Sequence, residues 1–269
     1  MPDDPIDPDQ PSSPTLYSVA AGVATIALNR PERKNSMSAE LMNGLDDDLA
    51  RAEADEAVRV IVLTNVGNTF CAGADLKADR PGGADEPRVS LPDLLTRIMA
   101  CPKPVVGRID GHATGGGVGL VAACDLSIMR DDAKIGFTEV RIGVAPAVIS
   151  VVCLPKMNRS DAMELFLTGD RITPARAAEV GLITAATAPD DLDETLAHYL
   201  DMLVRGGPSA LSAAKDLVNR VPVMAQEEAF AWTAARSQAL FTGPEAAEGI
   251  AAFRDRRDPS WVPDAEPRP

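Results

Sequence analysis

Histidine is nearly absent from this 269-residue chain. His112 and His198 are the only two, too few for a His-rich metal centre. The four cysteines, Cys71, Cys101, Cys124 and Cys153, have no paired CxxC spacing and read as scattered reduced thiols rather than a disulfide framework. Basic charge is also short: 26 Lys and Arg against 40 Asp and Glu give a net charge of −14, which excludes the basic footprint of a nucleic-acid surface. No apolar run is long enough to span a bilayer, since the longest, residues 143–154, is broken by Pro146. The acidic, proline-rich start lacks the basic and apolar regions of a signal peptide. These absences predict a soluble, cytoplasmic protein with no metal, membrane or nucleic-acid partner.

What is present is enough apolar sequence, 45% of the chain, to bury a large single core. Residues 1–14 carry five prolines and read as a disordered tail. Residues 15–195 read as a core of alternating strands and helices. Strands are expected near 16–20, 23–28, 58–64, 104–109 and 125–129. Ser38 is placed to cap a helix with an apolar stripe at Leu41, Leu45 and Leu49, and further helices fall near 91–100 and 115–123. The segment 79–87 reads as a mobile loop. Residues 196–257 form a helical region broken at glycines and prolines, and 258–269 form a second tail. There is no internal repeat.

Two glycine turns carry the chemistry. Asp110-Gly111-His112-Ala113-Thr114-Gly115-Gly116-Gly117-Val118-Gly119-Leu120 joins a buried strand to a helix start. Three consecutive glycines allow close backbone approach, and unpaired N–H groups at a helix N-terminus suit a negative oxygen. Thr69-Phe70-Cys71-Ala72-Gly73-Ala74-Asp75-Leu76-Lys77 also leaves a strand. Two such loops can aim two N–H groups at one point, the geometry of an oxyanion hole. A dinucleotide fold is the rival, because residues 117–122 fit G-x-G-x-x-A. However, Asp131 comes only 14 residues after Gly117, too soon for a helix and a strand before the acidic residue.

The pairing of these two turns resembles the crotonase family, the enoyl-CoA hydratase/isomerase superfamily. Residues 28–35, 133–146, 167–172 and 177–183 resemble further motifs of that family, and the likeness runs from about Val19 to about Arg257. It implies an α/β fold, a crotonase-like spiral of repeated ββα units with two near-perpendicular sheets, followed by a C-terminal helical trimerisation region. It also implies an acyl-CoA thioester substrate, with coenzyme A part of the substrate and no separate cofactor. Assembly as a homotrimer, or a hexamer made as a dimer of trimers, follows from the same likeness.

The resemblance assigns the oxyanion donors to the N–H groups of Ala74 and Gly116. It places Arg33, Lys34 and Asn35 beside the pantetheine and phosphates, and Ala72 and Asp75 near the adenine. Phe253 and Arg256 fall where a C-terminal helix reaches a neighbouring subunit's ligand. Of the two glutamates in the hydratase pattern, the second is present as Glu139, while Gly119 stands at the first. A single acid–base carboxylate suits double-bond isomerisation. A subgroup resemblance to bacterial methylglutaconyl-CoA-type hydratases, some lacking the first glutamate, favours hydration, with Arg141 read either as a surface or subunit salt bridge or as a partner for a distal carboxylate. The expected function is therefore an enoyl-CoA hydratase-type lyase, with an isomerase and a catalytically silent CoA-thioester binder as alternatives. If Gly119 alone limits ordinary hydration, a glutamate there is expected to raise it, provided there is room.

Overall fold

The computed structural model describes residues 13–75 and 88–262, so the mobile loop expected at 79–87 and most of both tails lie outside the described residues. The chain opens with an antiparallel hairpin, β1 (Thr15–Ala20) and β2 (Val23–Leu28). Its two-residue turn puts Ala21 and Gly22 at φ 48° and 76°, the positive values that match the twist of the flanking strands. Helix α1 (Ala39–Ala54) follows, with Ser38 Oγ accepting from the Leu41 N–H at 3.3 Å. Its expected stripe, Leu41, Leu45 and Leu49, is buried.

Three ββα turns then wind the spiral: β3 (Val60–Asn65), β4 (Thr69–Cys71) and α2 (Leu91–Ala100); β5 (Val105–Ile109), β6 (His112–Thr114) and α3 (Gly116–Ala123); β7 (Leu126–Arg130), β8 (Ile135–Gly136) and α4 (Ala147–Cys153). The first strand of each turn joins a six-stranded sheet and the second a four-stranded sheet. Helix α5 (Arg159–Thr168), β9 (Arg171–Ile172), α6 (Pro174–Glu179) and β10 (Ala185–Thr187) complete the two sheets, ordered β1-β2-β3-β5-β7-β10 and β4-β6-β8-β9. From β2 to β10 the large sheet is parallel.

Every residue of β3 is buried, because this sheet is covered on both faces. Ile61 and Leu63 join the main core with Ile26, Phe70, Ile98, Ile109 and Phe137, whereas Val60, Val106 and Ile128 meet α7 (Leu192–Arg205). The boundary expected at 195/196 therefore falls inside α7, whose face from Leu192 to Val204 packs on the sheet. Helices α8 (Pro208–Arg220), α9 (Gln226–Phe241) and α10 (Pro244–Asp255) follow, starting or ending at the expected Gly and Pro breaks. All four cysteines are buried and unbridged. Among the described residues no helix is long and apolar enough to cross a membrane.

Candidate active site

The four-stranded sheet holds the two glycine turns side by side. Strands β4 and β6 pair in parallel, so residues 72–75 and 115–116 leave neighbouring strands in the same direction. Gly117 permits the contact: a Cβ there would sit 2.3 Å from the Cys71 carbonyl oxygen. Gly115, at φ 57°, turns the chain into α3 without a capping side chain. The second loop is held from the far side. Met37 N–H donates to the Gly73 carbonyl at 2.8 Å, in a parallel bridge between Met37 and Ala74. Gly73, at φ 90°, comes so near that a Cβ on it would lie 3.2 Å from the Gly116 nitrogen.

The Ala74 and Gly116 N–H groups thus stand at adjoining loop tips, and neither donates to a backbone or side-chain acceptor among the described residues. Both border a cleft of about 890 Å³ walled by Met37, Leu91, Val144, Pro146 and Ile149. Glu139 enters the same cleft from a 3₁₀ turn, Thr138–Ile142, that follows β8. Its Oε1 lies 3.5 Å from where a Cβ on Gly115 would stand. The other carboxylate oxygen, Oε2, is buried with no hydrogen-bond partner among the described residues. Burial pushes the Glu139 carboxyl above its ordinary range, with its own backbone N–H pulling the other way. Two free donors and a poorly solvated carboxyl can hold a carbonyl oxygen and move a proton beside it.

The other sequence-predicted residues divide. Ala72 borders the cleft, its N–H donating to the Lys34 carbonyl at 3.1 Å and its carbonyl accepting from Thr114 Oγ1 at 3.2 Å. Arg33 is exposed with Nη1 3.5 Å from Asp75 Oδ2, while Lys34 sits in a left-handed turn at φ 54°. Asn35 is fully buried and faces inward: its Oδ1 accepts from Arg30 N–H at 2.7 Å and its Nδ2 donates to the Val66 and Thr69 carbonyls at 3.1 and 2.7 Å. Its amide fixes the loop against the start of β4. Arg141 lines the cleft but pairs with Asp170, and its Nε donates to the Gly169 carbonyl at 3.0 Å. Phe253 and Arg256, at the end of α10, do not line the cleft of their own chain.

Gly119 does not face an open space. A Cβ on it would lie 2.4 Å from Ile149 Cγ2, so the room required for a glutamate at 119 is absent. Met37, Leu91 and Ile149 were not singled out from the sequence, because apolar residues that line a cleft look like core residues. For Met37 the one available signal was its place just before the Ser38 helix cap.

The family model described as enoyl-CoA hydratase/isomerase matches residues 18–264 of this chain. The (E)-benzylidenesuccinyl-CoA hydratase of Thauera aromatica is 31% identical over 252 residues, covering 92% of this chain and 98% of that protein. Among solved structures, the enoyl-CoA hydratase of Mycobacterium tuberculosis superposes with a TM-score of 0.85 at 30% identity, over 92% of this chain and 98% of that one. An enoyl-CoA hydratase/isomerase from Marinobacter aquaeolei gives a TM-score of 0.85 at 29% identity, over 93% of this chain and 99% of the other.

Proposed function

This chain belongs to the enoyl-CoA hydratase/isomerase family, and from that premise we propose that it hydrates the double bond of an unsaturated acyl-CoA thioester through an enolate. One observation carries the reading: the Glu139 carboxyl shares a cleft with two backbone donors that have no acceptor among the described residues. The thioester carbonyl oxygen accepts from the Ala74 and Gly116 N–H groups, which stabilise the charge it gains as C3 is attacked. Glu139 takes a proton from water as the oxygen bonds to C3, then delivers that proton to C2 of the enolate. Arg33, Lys34, Ala72 and Asp75 border the coenzyme A portion, no separate cofactor takes part, and Arg141 stands near the acyl end. The protein works as a trimer or a dimer of trimers, with Phe253 and Arg256 reaching a neighbour's ligand.

A second reading is favoured by one specific observation. Ile149 fills the place where a second carboxylate would emerge from Gly119, leaving one acid–base group. A lone Glu139 can carry one proton between C2 and C4 while the same donors hold the dienolate, which is double-bond isomerisation. The deciding experiment incubates the protein with a trans-2-enoyl-CoA, a 3-enoyl-CoA and methylglutaconyl-CoA and identifies the products. Hydration adds the mass of water, while isomerisation keeps the mass and changes the ultraviolet absorbance of the conjugated thioester. Water added to a trans-2-enoyl-CoA is the expected result. Turnover of the 3-enoyl-CoA alone establishes the isomerase, and binding without turnover of any thioester overturns both.

A further inference from the structure

Helices α3 and α4 meet at Gly119, and the contact is too close for any side chain there. A Cβ on Gly119 would lie 2.4 Å from Ile149 Cγ2, 3.1 Å from its Cβ and 3.6 Å from Leu95 Cδ1. Ile149 is only 2% exposed, yet it borders the cleft together with Glu139, Gly115 and Gly116. It has little freedom to withdraw, because a β-branched side chain in a helix keeps essentially one χ1 rotamer, and Val118 and Val152 of the same two helices are themselves buried. A longer side chain at 119 would have to grow through the volume Ile149 occupies. Around it the lining is apolar, with Met37, Leu91 and Val148.

We infer that Ile149, seated in the socket left by Gly119, is a specificity-determining residue: it excludes a second acid–base side chain from the α3–α4 wall and limits the bulk of the acyl group beside the reacting carbons. The glycine and the isoleucine act as one size-matched pair. Neither can be exchanged alone without leaving a void or a clash. The inference rests on the cleft being the acyl-thioester site, and the test separates the two.

Saturated thioesters report on fit without turnover. Butyryl-CoA and 3-methylbutyryl-CoA would be titrated calorimetrically into the native protein, Ile149→Val and Ile149→Ala. One methyl group against a packed apolar wall is worth about 10- to 200-fold in discrimination. Ile149→Ala is expected to shift the ratio of the two dissociation constants towards the branched ligand by roughly tenfold or more, with Ile149→Val between it and the native protein. An unchanged ratio in folded Ile149→Ala overturns the inference while leaving the thioester reading intact. Binding of neither ligand to the native protein overturns both. A chemical arm compares Gly119→Glu with Gly119→Glu/Ile149→Ala in hydration of a short trans-2-enoyl-CoA. The double variant is expected to exceed both single variants. A folded Gly119→Glu protein that hydrates as well as the double variant would show that Ile149 is no barrier.

Discussion

The spiral and the last three helices have similar proportions of apolar residues and put them to opposite uses. In the spiral, Phe70, Phe137, Ile26, Leu28, Leu45, Ile98 and Ile109 are all fully buried. In α8, α9 and α10 the only buried residues are Ala213 and Ala252, while Val218, Phe230, Phe241 and Phe253 are 68–85% exposed. Large apolar side chains left in water along one short layer are of the kind that a contact would cover. The spiral completes its own core and holds the cleft. The terminal layer leaves its large side chains exposed in the single chain.

The largest test of that division is at Glu139. Glu139→Gln is expected to lower kcat by about 10²–10⁴-fold with thioester affinity and assembly unchanged. The same variant should gain stability at neutral pH. The sign follows from linkage: burial raises the folded-state pKa of this carboxyl above its unfolded value. The folded protein therefore holds the proton more tightly, and stability declines as pH rises through the folded pKa. Removing the charge removes that decline, and the native rate should fall on acidification at a pH above the ordinary glutamate range. Thermal unfolding of both proteins across pH checks the first claim and a kcat/KM profile the second. An acidic limb at the ordinary glutamate pKa would assign the proton transfer to another group.

The next test falls on the joint between the two regions. Lys215 of α8 reaches into the spiral, with Nζ 2.8 Å from Asp125 Oδ2 and within 3.4 Å of the Ile98 and Lys103 carbonyls. Burial raises the Asp125 carboxyl above its usual range, opposed first by Lys215. Lys215→Met should destabilise by about 1–3 kcal/mol, because it leaves a half-buried carboxylate without its ammonium partner. Without the ammonium the Asp125 pKa moves further up, so the deficit should shrink as the pH is lowered and Asp125 takes a proton. Denaturant melts at two pH values measure it. A deficit that stays constant with pH would place the loss in packing and not in charge.

How much of this could be read in the sequence depended on how local each cause was. Ser38 and its leucine stripe announce α1 because cap and period lie within a few turns. The six-residue strands of the large sheet were legible for the same reason. Strands β4, β6 and β8 span only two or three residues, too few to show any period, and the sequence reads the first two simply as glycine turns. Their pairing across some forty residues makes them a sheet. At the site, Glu139 and the two donor loops were legible as a motif. The inward bonding of Asn35 was not legible, since a polar residue beside a ligand loop looks like a ligand contact, and only the fold shows its amide bonded to Val66 and Thr69. Ile149 was invisible for the converse reason: its role depends on the distance between α3 and α4, which no single segment encodes.

A smaller effect is expected when the terminal layer is shortened. Removing residues 244–269 deletes α10 and the contacts that tie it back, including Trp261 Nε1 donating to the Arg205 carbonyl at 3.0 Å. If Phe253 and Arg256 serve a neighbour's ligand, assembly and thioester affinity should weaken together, the latter by roughly tenfold or about 1.4 kcal/mol. Light scattering and calorimetry on the same preparation measure both. A stable single-chain species with undiminished affinity would make the cleft complete within one spiral and sharpen the division further.

The smallest effect is the most discriminating, because it should be nearly absent in one assay and present in another. Phe230→Ser and Phe241→Ser change side chains that are 68% and 74% exposed in a single chain. Exposed substitutions away from special contacts stay within about 0.5 kcal/mol, so the unfolding free energy of the dissociated chain should hardly move. Phe70→Ala in the spiral is the control, expected to cost about 3–5 kcal/mol by opening a core cavity. At higher protein concentration the order should change, because a side chain buried between copies contributes only when copies meet, and mass action makes the melting temperature depend on concentration. The native protein should therefore gain melting temperature with concentration more steeply than Phe230→Ser or Phe241→Ser, while Phe70→Ala keeps the native slope from a lower start. Parallel slopes for the native and serine-substituted proteins would mean that the exposed aromatics meet no partner. The contrast between the two regions would then be one of packing quality and not of assembly.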